Sequence, residues 1–224
     1  MLFSTIRIQT GLFDRLPAAC KGNQTDKPCR EGEQMELYTI GHSTHDEKAF
    51  LKLLQDAGIE LLADVRAFPG SRKFPWFHTD RMKEWLPDNG VGYLHIRELG
   101  GRRRKSKTVS EDENAGWNNR SFHNYADYTQ ESEFKEGLQK LRHEASERRT
   151  AVCCSERHPA RCHRMLISNY VTLHGGEVFH VLDGKDGETV IEPHQPGRWG
   201  AEPTKRKDGE IVYPKTGEQA AAAD

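Results

Sequence analysis

Between residues 35 and 183, short β-rich runs alternate with amphipathic helical ones, and few architectures accept that alternation. LYTIG (37–41) is β-rich and ended by glycine. DEKAFLKLLQDAGI (46–59) has apolar residues at 49, 50, 53, 54 and 57 with Gly58 placed as a C-cap, so it reads as a helix. LLADVRAFP (61–69) reads as a second strand, and TDRMKEWLPDNG (79–90) as a helix begun at Thr79 or Asp80 and stopped at Pro87. VGYLHIREL (91–99) follows as a strand, then a polar insertion (100–120), then one or two helices within 121–148. TAVCCSE (150–156) is a buried-strand candidate, RCHRMLISNYVTLHGG (161–176) a helix closed by glycines, and EVFHVLD (177–183) a last strand. This order predicts a mainly parallel sheet with helices on both faces, and right-handed crossovers make it a three-layer, Rossmann-like α/β domain.

The flanks differ in composition. Residues 1–34 hold turn formers and charges (KGNQTDKPCREGEQ) and read as a poorly ordered N-terminal extension. From 184 onward Gly, Pro, Lys and Glu dominate and only EIVY interrupts, so 184–224 reads as a polar C-terminal tail. A hydrophobic fraction of 35% with 30% charged residues fits one globular domain carrying solvated segments. The net charge of −1 gives no whole-molecule attraction to nucleic acid or anionic membrane, so any such pull must be local. Five cysteines, an odd number with two adjacent, do not suggest a disulfide framework and point to a reducing cytoplasm. No run approaches the ~20 apolar residues of a membrane span, and MLFSTIRIQTGLF lacks the features of a secretory signal. A soluble cytoplasmic protein is expected.

In open α/β sheets the ligand crevice lies beyond the carboxyl ends of the strands. Those ends carry GHSTH (41–45), DVRAFPGSRKF (64–74), ELGGRRRK (98–105) and CCSERHPARCHR (153–164). They should therefore bring His42, Ser43, Asp64, Arg66, Ser71, Arg72, Gly100, Gly101, Cys154, Glu156, Cys162, His163 and Arg164 to one pocket.

YTIGHS, DVRAFPGSRKF, ELGG, NYADY, and C-S-E-x5-C-H-R followed by a helix and a G-x-x-V-x-H strand together resemble the DUF488 family, over roughly residues 36–183. The resemblance implies a fold and a site but no reaction, because the family is defined by a domain of unknown function. Its motif maps onto Cys154, Ser155 and Glu156, which leaves Cys153 as an extra thiol on the other face of the strand.

Residues 151–170 place three thiols, two histidines, a glutamate and three arginines around one strand-to-helix turn. One reading is a reactive thiol: Cys162 near a helix start, flanked by Arg161, His163 and Arg164, is where a thiolate is stabilised, with Glu156 and His42 as acid–base candidates. A second is an anion cradle of Arg66, Arg72 and Arg164, since guanidinium groups bind phosphate or carboxylate in bidentate fashion. Asp64 and Arg66, two apart on a strand, share a face and can pair. The metal reading is weaker, because seven residues separate Cys154 from Cys162 and no second knuckle lies nearby. Neither G-x-G-x-x-G nor a P-loop occurs, so no cofactor is expected. The basic run RRRKSK (102–107) offers nucleic acid a non-specific patch, and Phe74, Trp76 and Phe77 either stack a base or cap the core. The resulting expectation is an enzyme acting on an anionic, phosphorylated or nucleotide-like small molecule, and the competing one a non-catalytic nucleotide or nucleic-acid binding module.

Overall fold

The computed structural model describes residues 35–70 and 73–215. The expected extension over 1–34, together with Ser71 and Arg72, lies outside the described residues. Strands β1 (Glu36–Gly41), β2 (Leu61–Asp64), β3 (Gly92–His95), β4 (Thr150–Cys154), β5 (Glu177–Asp183) and β6 (Thr189–Pro193) form one sheet in the order β3-β2-β4-β1-β5-β6. All neighbours run parallel except β5 and β6.

The helices divide between the two faces. Helices α1 (Glu47–Asp56) and α2 (Thr79–Asp88) bury Phe50, Leu53, Leu54, Met82, Trp85 and Leu86 against Tyr38, Ile40, Leu62, Ala151 and Cys153. On the other face, α3 (Arg120–Tyr128), α4 (Ser132–Glu147) and α5 (Arg164–Leu173) pack Tyr125, Phe134, Leu141 and Leu166 against Leu37, Ala63, Val152 and Val178. The alternation within β4 follows from the period-2 geometry of a strand and gives the three expected layers. Cys153 joins the α1/α2 side, as the sequence suggests.

Local chemistry sets the helix ends. Asp46 accepts the Ala49 N–H at 2.7 Å to cap α1, and Gly58, with φ of 65°, turns the chain beyond it. Pro87 does not stop α2 but lies one residue before its end, where it removes one i→i−4 hydrogen bond just ahead of the turn at Gly90.

The segment after 184 differs from the polar tail that its composition suggests. β6 pairs with β5 at the sheet edge, with Leu182 opposite Val190. Further on, Ile211 and Tyr213 enter the core beside α3 and α5, with the Tyr213 hydroxyl accepting from Asn169 Nδ2 at 3.0 Å. An edge strand and a docking hairpin need only a few apolar side chains, so their signal is diluted by the polar residues around them. No helix among the described residues is long and apolar enough to cross a membrane.

A candidate thiol site at the topological switch point

From β1 the chain leaves through α1 toward β2, and from β4 it leaves through α5 toward β5, in the opposite direction across the sheet. β1 and β4 are adjacent, so a crevice opens between their carboxyl ends. The ladder continues past both strands: His42 N–H donates to the Cys154 carbonyl at 2.9 Å and Ser43 N–H to the Ser155 carbonyl at 3.0 Å. Gly41 permits this approach, since a Cβ there would stand 2.0 Å from the Glu156 carbonyl oxygen. Ser43 adopts φ of 48°, an unusual value for a residue with a side chain.

The crevice is a cavity of about 630 Å³. It is lined by His42, Ser43, Arg66, Gly101, Cys154, Glu156, Cys162 and His163, all named by the sequence, and by Phe68, Phe74, Arg102, Asn119, Phe122 and Arg161. Asp64, Gly100 and Arg164 lie behind it, and Ser71 and Arg72 fall outside the described residues.

At its floor, Pro159 opens a short 3₁₀ turn (Pro159–Arg161), and Cys162 follows with its N–H bonded to the Pro159 carbonyl at 2.9 Å. His163 Nε2–H donates to the Val65 carbonyl at 3.0 Å, which leaves the Nδ1 lone pair facing both thiols, 3.6 Å from Cys162 Sγ and 3.9 Å from Cys154 Sγ. Gly101 leaves room for this ring, because a Cβ there would reach 2.3 Å from Nδ1. The two sulfurs and Nδ1 all lie within 4.8 Å of one another, a donor set whose softness suits zinc-like ions.

Arg164 is not the anion clamp that its position in sequence suggests. Its side chain is 1% exposed and its nitrogens are engaged: Nε donates to Cys162 Sγ at 3.3 Å, Nη1 faces Thr39 Oγ1 at 3.5 Å, and Nη2 donates to the Glu156 carbonyl at 2.5 Å. Thr39 in turn meets His180, which burial above all holds neutral, down to about 2. Among the described residues no carboxylate pairs with Arg164. A buried guanidinium cannot shed its proton, so its charge must be balanced by the nearest ionisable group. That group is Cys162.

The electrostatics of the thiols follow. Burial is the largest influence on Cys162 and pushes it up, but a hydrogen bond from Cys154 and the charge and hydrogen bonds of Arg164 outweigh it, bringing the thiol down to about 6. The hydrogen bond to Cys162, with burial second, pushes Cys154 up to about 12. The two directions are opposite, so the thiolate is favoured at Cys162 while Cys154 keeps its proton. The folded value lies below the ~8.5 of a free thiol, so ionisation of Cys162 stabilises the fold fully above that pH and loses its contribution as pH falls through about 6. Urea unfolding between pH 8.5 and 6 should show a decline of about 1–3 kcal/mol that is missing from Cys162→Ser.

His42 also differs from its expected role. Arg66 Nη1–H donates to Nε2 at 3.2 Å, Nδ1–H donates to the Ser43 carbonyl at 3.1 Å, and the ring stacks on Phe77 with centroids 4.1 Å apart. Burial first, then the Arg66 charge, lowers it to about 4. Both nitrogens being occupied, His42 orients Arg66, and the histidine that faces the thiols is His163. Arg66 lies in the cavity wall but is already neutralised, its Nε and Nη2 donating to Asp64 at 2.9 and 2.6 Å. Among the described residues Arg102 and Arg161, which line the cavity, are in no ion pair. From sequence Arg102 belongs only to the basic run offered to nucleic acid and Arg161 only to the surroundings of Cys162, so neither is among the expected pocket ligands, and neither is Phe68, which is 74% exposed under Arg102, 5.7 Å from ring to guanidinium.

Two of the remaining expectations are resolved by packing. Phe77 is fully buried, and Trp76 Nε1–H donates to the His45 carbonyl at 2.9 Å, so both serve the core side while Phe74 reaches the cavity. In the basic run, Arg103 stacks on Tyr128 at 3.6 Å and donates to the Gly100 and Glu98 carbonyls, and Lys105 pairs with Glu111. The run is therefore partly neutralised by its own surroundings.

No curated protein and no solved structure matches the chain. A family model does match, over residues 46–171, more than half of the chain and including α1, β4, Cys154, Cys162 and the start of α5. The chain accordingly belongs to the family described as "Domain of unknown function DUF488".

Proposed function

We propose that the protein is a thiol-dependent enzyme acting on an anionic, phosphorylated or nucleotide-like small molecule, with Cys162 as nucleophile. The observation that carries this reading is the buried Arg164 guanidinium, 3.3 Å from Cys162 Sγ and without a carboxylate partner among the described residues. A thiolate is the attacking form of cysteine. The substrate's negative charge meets Arg161 and Arg102 at the cavity wall. Cys162 S⁻ attacks the electrophilic centre and forms a covalent adduct as the bond to the leaving group breaks. The leaving group takes its proton from solvent at the rim beside Glu156, and His163 Nδ1 accepts the proton of the water that then hydrolyses the adduct and frees the thiolate. His163 is fixed for this by Val65, whose carbonyl determines which ring nitrogen keeps its proton.

The non-catalytic binding reading uses the same arginines and leaves the thiol inert. It is the less supported, because inert binding gives no reason for a buried thiolate beside an open cavity. A metal ion at Cys154, Cys162 and His163 is also less supported, since Arg164 already supplies the positive charge that a metal would bring to these sulfurs. The two main readings separate in a screen of phosphate esters and nucleotides by product release and intact mass. The expected result is a covalent adduct on Cys162 and a loss of turnover on the order of 10³-fold or more in Cys162→Ser. Turnover undiminished in that variant would overturn the nucleophile.

A further inference from the structure

The nucleophile alone does not account for Cys154. This second thiol ends β4, opens to the same cavity, and lies with Cys162 Sγ and His163 Nδ1 in a group no wider than 4.8 Å. Cys153, the neighbouring thiol, is buried on the opposite face of the sheet and takes no part. A nucleophilic site needs one sulfur. Two sulfurs sharing one proton acceptor, beside a route to solvent, have the components of thiol–disulfide chemistry.

We infer that Cys154 and Cys162 form a redox-active dithiol, in which a hydroperoxide oxidises Cys162 and Cys154 resolves it as an intramolecular disulfide. The inference rests on the proposal that Cys162 is the nucleophilic thiolate. In the first step Cys162 S⁻ attacks the outer peroxide oxygen; an S–O bond forms, the O–O bond breaks, and the alkoxide leaves to become the alcohol. In the second, the Cys154 proton passes to His163 Nδ1, 3.9 Å away, and the Cys154 sulfur attacks Cys162. The S–O bond breaks and hydroxide leaves, taking the proton from His163 as water. The sum converts thiolate, thiol, hydroperoxide and one solvent proton into disulfide, alcohol and water, and a small dithiol in solution reverses the oxidation by exchange.

Closing the bond brings the sulfurs to about 2.05 Å. The residues that must yield are those between the two cysteines, of which Ser155, Glu156, Arg157 and His158 are exposed. Oxidation also removes the anion that balances Arg164, and this makes the disulfide form the less stable and the readily reduced one.

The test uses the full chain, reduced, at pH 7, with its metal content measured first and Cys162 alkylation timed in the same sample. A single equivalent of hydrogen peroxide should produce a loss of about 2 Da, a peptide linking Cys154 to Cys162, and loss of alkylation that dithiothreitol restores. In Cys154→Ser the same treatment should instead leave a dimedone-trappable sulfenic acid on Cys162. If the wild-type protein accumulates that sulfenic acid while Cys154 stays alkylatable, the dithiol is wrong and the nucleophile stands. Bound metal protecting both thiols until it is chelated would also overturn the dithiol. Slow alkylation of Cys162 in the reduced, metal-free sample would instead sink the thiolate reading beneath it.

Discussion

Replacing Arg164 with methionine should slow alkylation of Cys162 at pH 7 by more than about tenfold and move its pH inflection from about 6 to above the ~8.5 of a free thiol. Arg164 provides both the hydrogen bond at 3.3 Å and the positive charge, and without them burial alone acts on the thiol, in the upward direction. The thiol escapes by taking up a proton, so the variant does not keep an unpaired buried charge. Its cost in stability is the unmet Glu156 carbonyl, about 1–3 kcal/mol, which still leaves a folded protein to assay. Lysine at the same position retains the charge but not the planar fork that reaches sulfur and carbonyl together, and should restore only part of the rate. Unchanged alkylation in Arg164→Met would mean that Cys162 draws its reactivity from elsewhere.

The second large effect belongs to Asp64, which has no surface exposure and supports the cavity from behind. It accepts from the Arg66 backbone N–H at 3.0 Å, from Arg66 Nε and Nη2, and from the Tyr93 hydroxyl at 2.8 Å. Burial opposes the Arg66 charge, yet the Asp64 hydrogen bonds and charge raise Arg66 above its ordinary value. Asp64→Asn keeps the shape and removes the anion, leaving a buried guanidinium that cannot deprotonate. Loss of a partner in such a pair costs about 3–5 kcal/mol, which for a domain of this size lowers the melting temperature by on the order of 10 °C. Thermal unfolding of the two proteins at pH 7 measures it directly. A loss under about 1 kcal/mol would show that Arg66 is solvated and available to a ligand, contrary to the hydrogen bonds described above.

How much of this was legible in the sequence depended on whether a feature is set by neighbours in the chain or by neighbours in space. The parallel sheet was legible because LYTIG, LLAD and TAVCC are each followed by a turn and a helix, and the crevice followed from where such strands end. The Asp64–Arg66 pair was legible too, since alternate strand residues share a face. Arg164 was misplaced because the first turn of a helix can aim a side chain outward or back beneath the loop before it. Only the placement of the Glu156 and Arg157 carbonyls beside Arg164 decides between these. The choice between His42 and His163 turned on a single backbone carbonyl, that of Val65, brought from another strand end. Residues 184–224 read as tail because Gly, Pro, Lys and Glu outnumber the few side chains, Ile211 and Tyr213 among them, that hold the segment to the core.

The central claim is that Cys162 is a thiolate at neutral pH, held by the Arg164 guanidinium 3.3 Å from its sulfur. The most direct measurement is the rate of iodoacetamide labelling at each cysteine of the reduced native protein between pH 4 and 10, resolved by mass spectrometry. The account predicts an inflection at Cys162 near 6, with Cys153 and Cys154 labelling far more slowly at neutral pH. A Cys162 that labels slowly at pH 7 and inflects at or above the ~8.5 of a free thiol would contradict it.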